Sequence, residues 1–232
     1  MTNRTGNVYV NPVTLERAAV LVSAEDSKGA FIRVELWAPP GAHPSAPHVH
    51  PGQTESFEVL EGRLGVRHGD DVGTAAAGER IEVAPGAVHD WWPEDGRPAR
   101  VLVEVRPAGR FEEAIMTSWG LAAAGRTDER GRPGLLQLAL LAEEWSDTLR
   151  FASPPAWVQK TVAAGLGPLA RRRGLRGAYP ELEERILVGR LGEILTLTGS
   201  EPAASPAVSP AVAPSDRSGG AWDGWDRLRP GV

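Results

Sequence analysis

The stretch His48–Gly62, HVHPGQTESFEVLEG, contains two of the five histidines in the 232-residue chain. Side chains alternate faces along a strand, so His48 and His50 point the same way, about 7 Å apart. Two imidazoles at that spacing can converge on one ion between them. Glu55 is out of register with a continuous strand. The intervening PGQT can bend the chain and return its carboxylate, because Gly52 is free to turn while Pro51 restricts the options. The competing reading is an ordinary polar loop leading into a strand of a β-sandwich.

A second stretch weighs against the loop. VAPGAVHDWW (Val83–Trp92) puts His89 just after a Pro-Gly turn, at the start of another strand-like run. The chain has no cysteine, so disulfides and thiolate ligands are excluded and a metal site must use nitrogen and oxygen. Three imidazoles and one carboxylate form a mixed set suited to a divalent transition metal: iron, manganese, nickel, copper or zinc.

The surrounding sequence reads as a β-domain over residues 8–106. AFIRVELW, ESFEVLEG, GRLGVRHG, RIEVAPG, VHDWW and ARVLVEVRP are short strand-like runs. APPGAHPSAP, HGDDVG, AAAGER and PEDGRP separate them as turns and loops. Short strands at 8–12-residue spacing favour a sandwich or barrel over a parallel α/β sheet. After Pro107 the texture changes. GRFEEAIMTSWGLAAAG carries Phe111, Ile115, Met116, Trp119 and Ala122 close to a helical period, with Gly125 suited to the C-cap. LLQLALLAEEW is a second helix. SPPAWVQKTVAAGLGPLARRRG is a third, with Ser153 as N-cap, Pro154 at the first helical position and Pro168 as a break or kink. PELEERILVGRLGEILTLTG is a fourth. From Ser200, Pro, Ala and Ser dominate and SPAV occurs twice, a composition with too little apolar area to offset ordering entropy. The expected organisation is a β-barrel domain over 1–107, a helical extension over 108–199 and a disordered tail over 200–232.

The motifs together resemble those of the cupin superfamily, whose first motif runs glycine, H-x-H, a short gap, glutamate, six residues and glycine. Here GAHPSAPHVHPGQTESFEVLEG has four residues between His50 and Glu55 and six between Glu55 and Gly62. Gly41 lies one residue further from His48 than usual. The second motif, GERIEVAPGAVHDWWP, keeps Gly78, Gly86 and His89; its proline falls one place late at Pro85, and Pro93 replaces the usual asparagine. The resemblance implies a mainly β fold, an antiparallel jelly-roll-like barrel with His48, His50, Glu55 and His89 as metal ligands inside it. It also implies two open coordination positions, a catalytic Glu55 acting as a base, and a homodimer paired through the sheets.

Strand alternation adds pocket residues. Trp91 shares the face of His89, and Phe57 and Val59 share that of Glu55, forming an apolar wall; Trp92 faces outward or into a dimer partner. His43, on the loop before the ligands, is a candidate relay or gate. His68 sits at an exposed hairpin end. Arg33 and Glu35 belong either to the barrel mouth or to an outer polar face. Such a pocket suits a small organic molecule of aromatic or polyketide-like character. The leading function is a quercetinase-like dioxygenase. The alternatives are a non-redox metal cupin (polyketide cyclase, isomerase or hydrolase), which the same ligand set serves, or a non-catalytic small-molecule binder, against which intact ligands argue.

A net charge of −5 argues against nucleic acid as a partner. The arginines at 171–173 read as a solvated helix end facing the negative pole of the helix dipole. No apolar run reaches the length of a membrane span and no secretory leader is evident, so the expected location is cytoplasmic. Trp157, Val158, Thr161, Val162 and Leu166 make an apolar face that needs a partner, either the barrel or a second subunit. AWDGWDRLRP, near the C-terminus, is a candidate docking motif.

Overall fold

The computed structural model describes residues 3–43 and 46–191. Its ten leading strands are β1 (Asn7–Val10), β2 (Arg17–Val22), β3 (Ile32–Ala38), β4 (His48–Val49), β5 (Thr54–Glu61), β6 (Arg63–His68), β7 (Asp71–Ala76), β8 (Arg80–Val83), β9 (His89–Pro93) and β10 (Ala99–Arg106). Helix α1 (Phe111–Ala123), helix α2 (Leu135–Glu144), strand β11 (Arg150–Phe151), helix α3 (Ala156–Arg172), a 3-10 helix (Pro180–Arg185) and strand β12 (Leu187–Arg190) follow. All pairings are antiparallel. One sheet runs β12-β1-β2-β3-β10-β5-β8 and the other β11-β4-β9-β6-β7, a jelly-roll-like arrangement of two facing sheets.

The alternation read from the sequence explains the interior. In β3, Ile32, Val34 and Leu36 point inward. Arg33 and Glu35 lie on the outer face, where Arg33 pairs with Glu104 and Glu35 with Arg100. In β10, Val101, Val103 and Val105 are buried on the same side. Phe57, Val59, Leu64, Val66, Ile81 and Trp91 complete one continuous core. Gly62 turns β5 into β6 at φ 81°, a conformation that a Cβ disfavours.

Several expectations need correction. HGDDVG and AAAGER are not simply loops: residues 71–76 form β7, paired with β6 from Arg63↔Ala76 to His68↔Asp71, with Ala75 fully buried. By composition such small residues resemble punctuation, yet they suit a strand packed closely against its neighbour. The fourth helix is not formed as expected. Pro180–Arg185 is a 3-10 helix, and Leu187–Arg190 is a strand that satisfies the edge of β1. Ser153 does not cap α3: Pro155 holds the N-cap position and the helix starts at Ala156. Pro168 does not break α3, which continues to Arg172. Pro168 has no N–H to give the Ala164 carbonyl, and Ala164 is exposed, so water can satisfy that carbonyl. Gly125 does follow the end of α1 at φ 67°, with Arg126 N–H donating to the Leu121 carbonyl. The expected helical continuation over 192–199, the tail over 200–232 and its AWDGWDRLRP motif lie outside the described residues.

The segment after Pro107 is woven into both sheets. β11 pairs with β4, matching Phe151 to His48 and Arg150 to Val49, and β12 pairs with β1. Helix α1 contributes Met116 and Trp119 to the main core. It is pinned by a buried ionic cluster. Arg4 donates to Glu112 at 3.0 Å and to Glu183 at 2.8 Å, tying the N-terminal segment to α1 and to the 3-10 helix. Glu183, though partly buried, is held below the usual carboxylate range by hydrogen bonds from Arg4 and Tyr9. Among the described residues, no helix is long and apolar enough to cross a membrane.

Candidate metal centre

Three local features bring the second motif onto the first. β4 pairs with β9 through His48↔His89. The Gly86 N–H donates to the His50 carbonyl at 2.8 Å, so the Pro-Gly turn docks on the H-x-H strand. The PGQT bend then starts β5 with Glu55 level with Val105 of β10 and Val83 of β8. As a result His48, His50, Glu55 and His89 are all buried, and one donor atom from each lies within 4.8 Å of the other three.

Backbone carbonyls determine which ring nitrogens face the centre. His48 Nδ1 lies 2.9 Å from the Ala46 carbonyl, His89 Nδ1 3.0 Å from the Ala87 carbonyl, and His50 Nδ1 2.6 Å from the Thr148 carbonyl. A carbonyl only accepts, so each Nδ1 carries its proton and donates. Each Nε2 is thereby turned to the centre. His48 Nε2 and His50 Nε2 are 3.2 Å apart, and Glu55 Oε2 lies 3.1 Å from His50 Nε2 and 2.7 Å from His89 Nε2. With neutral imidazoles, the Nε2 lone pairs of His48 and His50 would confront each other across 3.2 Å. A proton or a cation between them relieves this. Histidines whose second nitrogen is anchored to a carbonyl are the usual support of a metal centre. The donor set and its spacing could therefore hold a metal ion and do not identify which one.

The electrostatics without an ion are consistent with a cluster built to hold positive charge. Burial opposes ionisation of Glu55, but the charges and hydrogen bonds of His50 and His89 overcome it and hold the carboxyl well below its ordinary range. Burial likewise opposes protonation of His50. The Glu55 charge outweighs it, with help from hydrogen bonds to Glu55 and the Thr148 carbonyl, and raises the imidazole. His48 is pushed down to about 3, first by burial and then by the neighbouring His89.

This cluster stands at one end of a cavity of about 100 Å³ that His48, Glu55 and Trp91 help to line. Most of the rest of the wall is apolar: strands β2, β3 and β10 on one side, and Phe111, Ile115, Met116 and Trp119 of α1 on the other. Leu149 adds to it, next to the Thr148 that anchors His50. The Phe111 ring lies 5.7 Å from that of His50. Beside Glu55, two further carboxylates, Glu16 and Glu112, line the cavity, and among the described residues no lysine or arginine does.

Trp91 lies against the cavity as the alternation implies. Phe57 and Val59 are buried in the core and not among the cavity-lining residues; the Phe57 ring supports those of His89 and Trp91 at 6.2 and 6.0 Å. His43 is exposed, its ring 6.1 Å from that of Trp92, away from the cavity lining. His68 is half-buried where an exposed residue was expected, because it stands opposite His89 across β6 and β9. Sequence reasoning missed Glu16, Glu112, Thr148 and Leu149. A signal existed for the α1 residues, whose apolar stripe required a partner, and for Glu16, which begins an inward-facing alternation with Ala18 and Val20. Nothing local marks a backbone carbonyl such as that of Thr148.

The cupin-domain family model matches residues 36–105. No curated protein matches the chain. The chain is similar to the protein TT1209 from Thermus thermophilus, with 29% identity, 34% of this chain and 75% of that chain covered, and a TM-score of 0.33. It is also similar to an RmlC-like cupin from Shewanella frigidimarina, with 17% identity, 45% and 86% covered, and a TM-score of 0.39. A sugar phosphate isomerase from Silicibacter pomeroyi shares 23% identity, with 46% and 71% covered and a TM-score of 0.37. The two motifs, the strand pairing that unites them and the family match together make residues 36–105 a cupin domain.

Proposed function

We infer that this chain is a metal-dependent cupin enzyme acting on a small, apolar organic molecule, in the manner of a quercetinase-like dioxygenase. The observation that carries this reading is the convergence of four buried donors at the end of an apolar cavity roofed by α1. His48, His50, Glu55 and His89 would hold the metal, which would supply Lewis acidity and a site for oxygen chemistry. Glu55, kept ionised by its histidine neighbours, accepts the proton of an acidic hydroxyl or enol on the bound molecule. Trp91 and the α1 side chains exclude water and orient the apolar body, with Phe57 and Val59 backing the site and His43 at the loop before it. A cavity that carries carboxylates and, among the described residues, no cationic side chain disfavours a phosphorylated substrate.

The non-redox alternative, a cyclase or isomerase, uses the same donors, with enolate stabilisation in place of oxygen chemistry. The barrel over 1–107 and the segment over 108–199 act as one catalytic unit. A soluble cytoplasmic homodimer is the assembly we favour, supported by the edge strand β12 with its exposed Leu187 and Val188. The test is metal analysis of the purified protein followed by oxygen-uptake assays with flavonols. Bound iron, manganese, nickel or copper with oxygen consumption supports the dioxygenase. Stoichiometric zinc without uptake moves the assignment to the cyclase or isomerase, and absence of any bound metal removes the enzyme reading.

A further inference from the structure

A glutamate and a leucine are placed against their chemical preference at the start of β2. Leu15 is 59% exposed and Glu16 is 2% exposed. The inversion is built by the backbone. Asn11 Oδ1 accepts the N–H groups of Val13 and Thr14, and the Leu15 N–H donates to the Asn11 carbonyl. Leu15 adopts φ 62°, a region that costs a non-glycine residue roughly 1–2 kcal/mol. The turn delivers Glu16 to the same strand face as Ala18 and Val20, and all three line the cavity. Thr14 Oγ1 donates to Glu16 Oε2 at 2.6 Å, while Glu16 Oε1 is buried with no hydrogen-bond partner among the described residues. Glu112, which also lines the cavity, differs: it accepts from Arg4 and from the Ala24 N–H, so both its oxygens are occupied. Strain of this kind and an orphaned buried oxygen commonly mark a binding group.

Strand registers locate Glu16 relative to the metal centre. Glu55 is level with Val105, and Val105 with Ile32. Arg17, the neighbour of Glu16, is level with Trp37. The two carboxyls thus belong to opposite ends of the cavity wall formed by β3. Burial raises the Glu16 carboxyl above its ordinary range, against the opposing hydrogen bond from Thr14, which favours a neutral acid that can donate as well as accept.

We propose that Glu16 is a second recognition group, hydrogen-bonding a hydroxyl on an elongated, apolar ligand whose other end lies at the His48/His50/Glu55/His89 centre. This rests on the metal-centre reading above for the near end of the ligand only. The ligand class is an uncharged aromatic molecule with oxygen functions at both ends. An anionic far end is disfavoured by the Glu16 carboxyl and by the absence, among the described residues, of a cationic lining residue.

The test uses the full-length protein as purified, with metal content measured separately, and two probes that differ at one position: 3-hydroxyflavone and 3,4′-dihydroxyflavone. Dissociation constants are measured by calorimetry for wild type, Glu16→Gln and Glu16→Leu. Wild type is expected to prefer the dihydroxy probe by about tenfold or more, the value of one satisfied buried hydrogen bond. In Glu16→Leu that preference falls to about one while 3-hydroxyflavone affinity holds, and Glu16→Gln retains part of it. An unchanged preference in Glu16→Leu overturns the proposal, as does a wild type that binds neither probe or both equally. Melting temperature separates a structural role: a ligand group is dispensable for folding, so Glu16→Leu melts at or above wild type. A fall of more than about 10 °C in both variants assigns Glu16 to the fold and also overturns the proposal. Failure of the metal reading shows separately, as wild-type protein without metal, and the probe preference is still read on that protein.

Discussion

His50 Nδ1 donates to the backbone carbonyl of Thr148 at 2.6 Å, across 98 residues of sequence. A histidine of the first cupin motif is thus oriented by the segment that follows the cupin domain. The adjoining pairing of β11 with β4 and the Phe111 ring beside His50 reinforce that dependence. A chain ending at Pro107 loses this anchor and the roof of the cavity together. Its metal affinity should fall by about tenfold or more relative to the full chain, the usual cost of losing outer-shell support. Competitive chelator titration checks this, and equal affinity in the two forms would show that the helical segment is dispensable for the centre.

Removing one donor should abolish the coupling between metal and stability. With a suitable divalent metal at about a hundredfold excess over its dissociation constant, wild type gains about 2.7 kcal/mol. His50→Ala and His89→Ala should gain little or nothing. Thermal melts with and without added metal read the difference, with metal content confirmed by elemental analysis.

Acid should act on the metal-free protein through His48. Its folded pKa is down at about 3, below the ordinary histidine value, chiefly through burial. Between the two values the unfolded chain binds a proton that the folded one refuses, so stability falls as pH drops from about 6.5 towards 3. The raised His50 works the other way: its contribution is complete below its unfolded pKa and is lost as pH rises through the folded one. A depressed Glu55 adds stability above the ordinary carboxylate range that is lost as pH falls through its folded value. Metal loading requires the His50 proton to leave, so metal affinity should rise with pH across the histidine range. Urea unfolding of chelator-treated protein at stepped pH, beside metal titrations at the same pH values, tests both slopes.

Arg4 sits between Glu112 and Glu183 with all three side chains largely buried. Arg4→Ala strands two carboxylates and should destabilise by about 3–5 kcal/mol. Because Glu112 also lines the cavity, the variant should loosen the α1 roof as well. Chemical denaturation gives the stability change, and hydrogen exchange in α1 shows whether the loss is local. An effect under about 1 kcal/mol would mean that the cluster contributes little to holding the helix.

Gly62 combines φ 81° with close backbone approach: an added Cβ would lie 2.6 Å from the Pro98 carbonyl oxygen. Gly62→Ala therefore meets both a conformational penalty of about 1 kcal/mol and a backbone clash. A loss of about 2–3 kcal/mol is expected, with metal binding retained in whatever fraction folds. Its equilibrium unfolding curve supplies the measurement.

Much of the barrel was legible in the sequence because each element carries its own local signal. AFIRVELW and ARVLVEVRP alternate, and they form β3 and β10 with the inward faces that the alternation implies. The six-residue gap from Glu55 to Gly62 spans β5 and ends at the turn glycine. Misreadings arose where local chemistry was ambiguous. DVGTAA resembles a loop by composition and is a strand by pairing. ILVGR suits a helix by pattern, yet Leu187–Arg190 pairs with the edge of β1.

By itself the sequence determined which four side chains could meet and which faces of the strands turn inward. Residue type and a period of two carry that information over short spans. Only the tertiary structure decided how the histidines are oriented, what closes the cavity and what stands at its other end. The Thr148 carbonyl, the α1 roof and Glu16 are brought to the site by contacts between residues distant in sequence. The apolar stripe of α1 and the alternation of Glu16 with Ala18 and Val20 mark faces that turn inward but not the partner each face meets, and a backbone carbonyl has no side-chain identity to leave any trace.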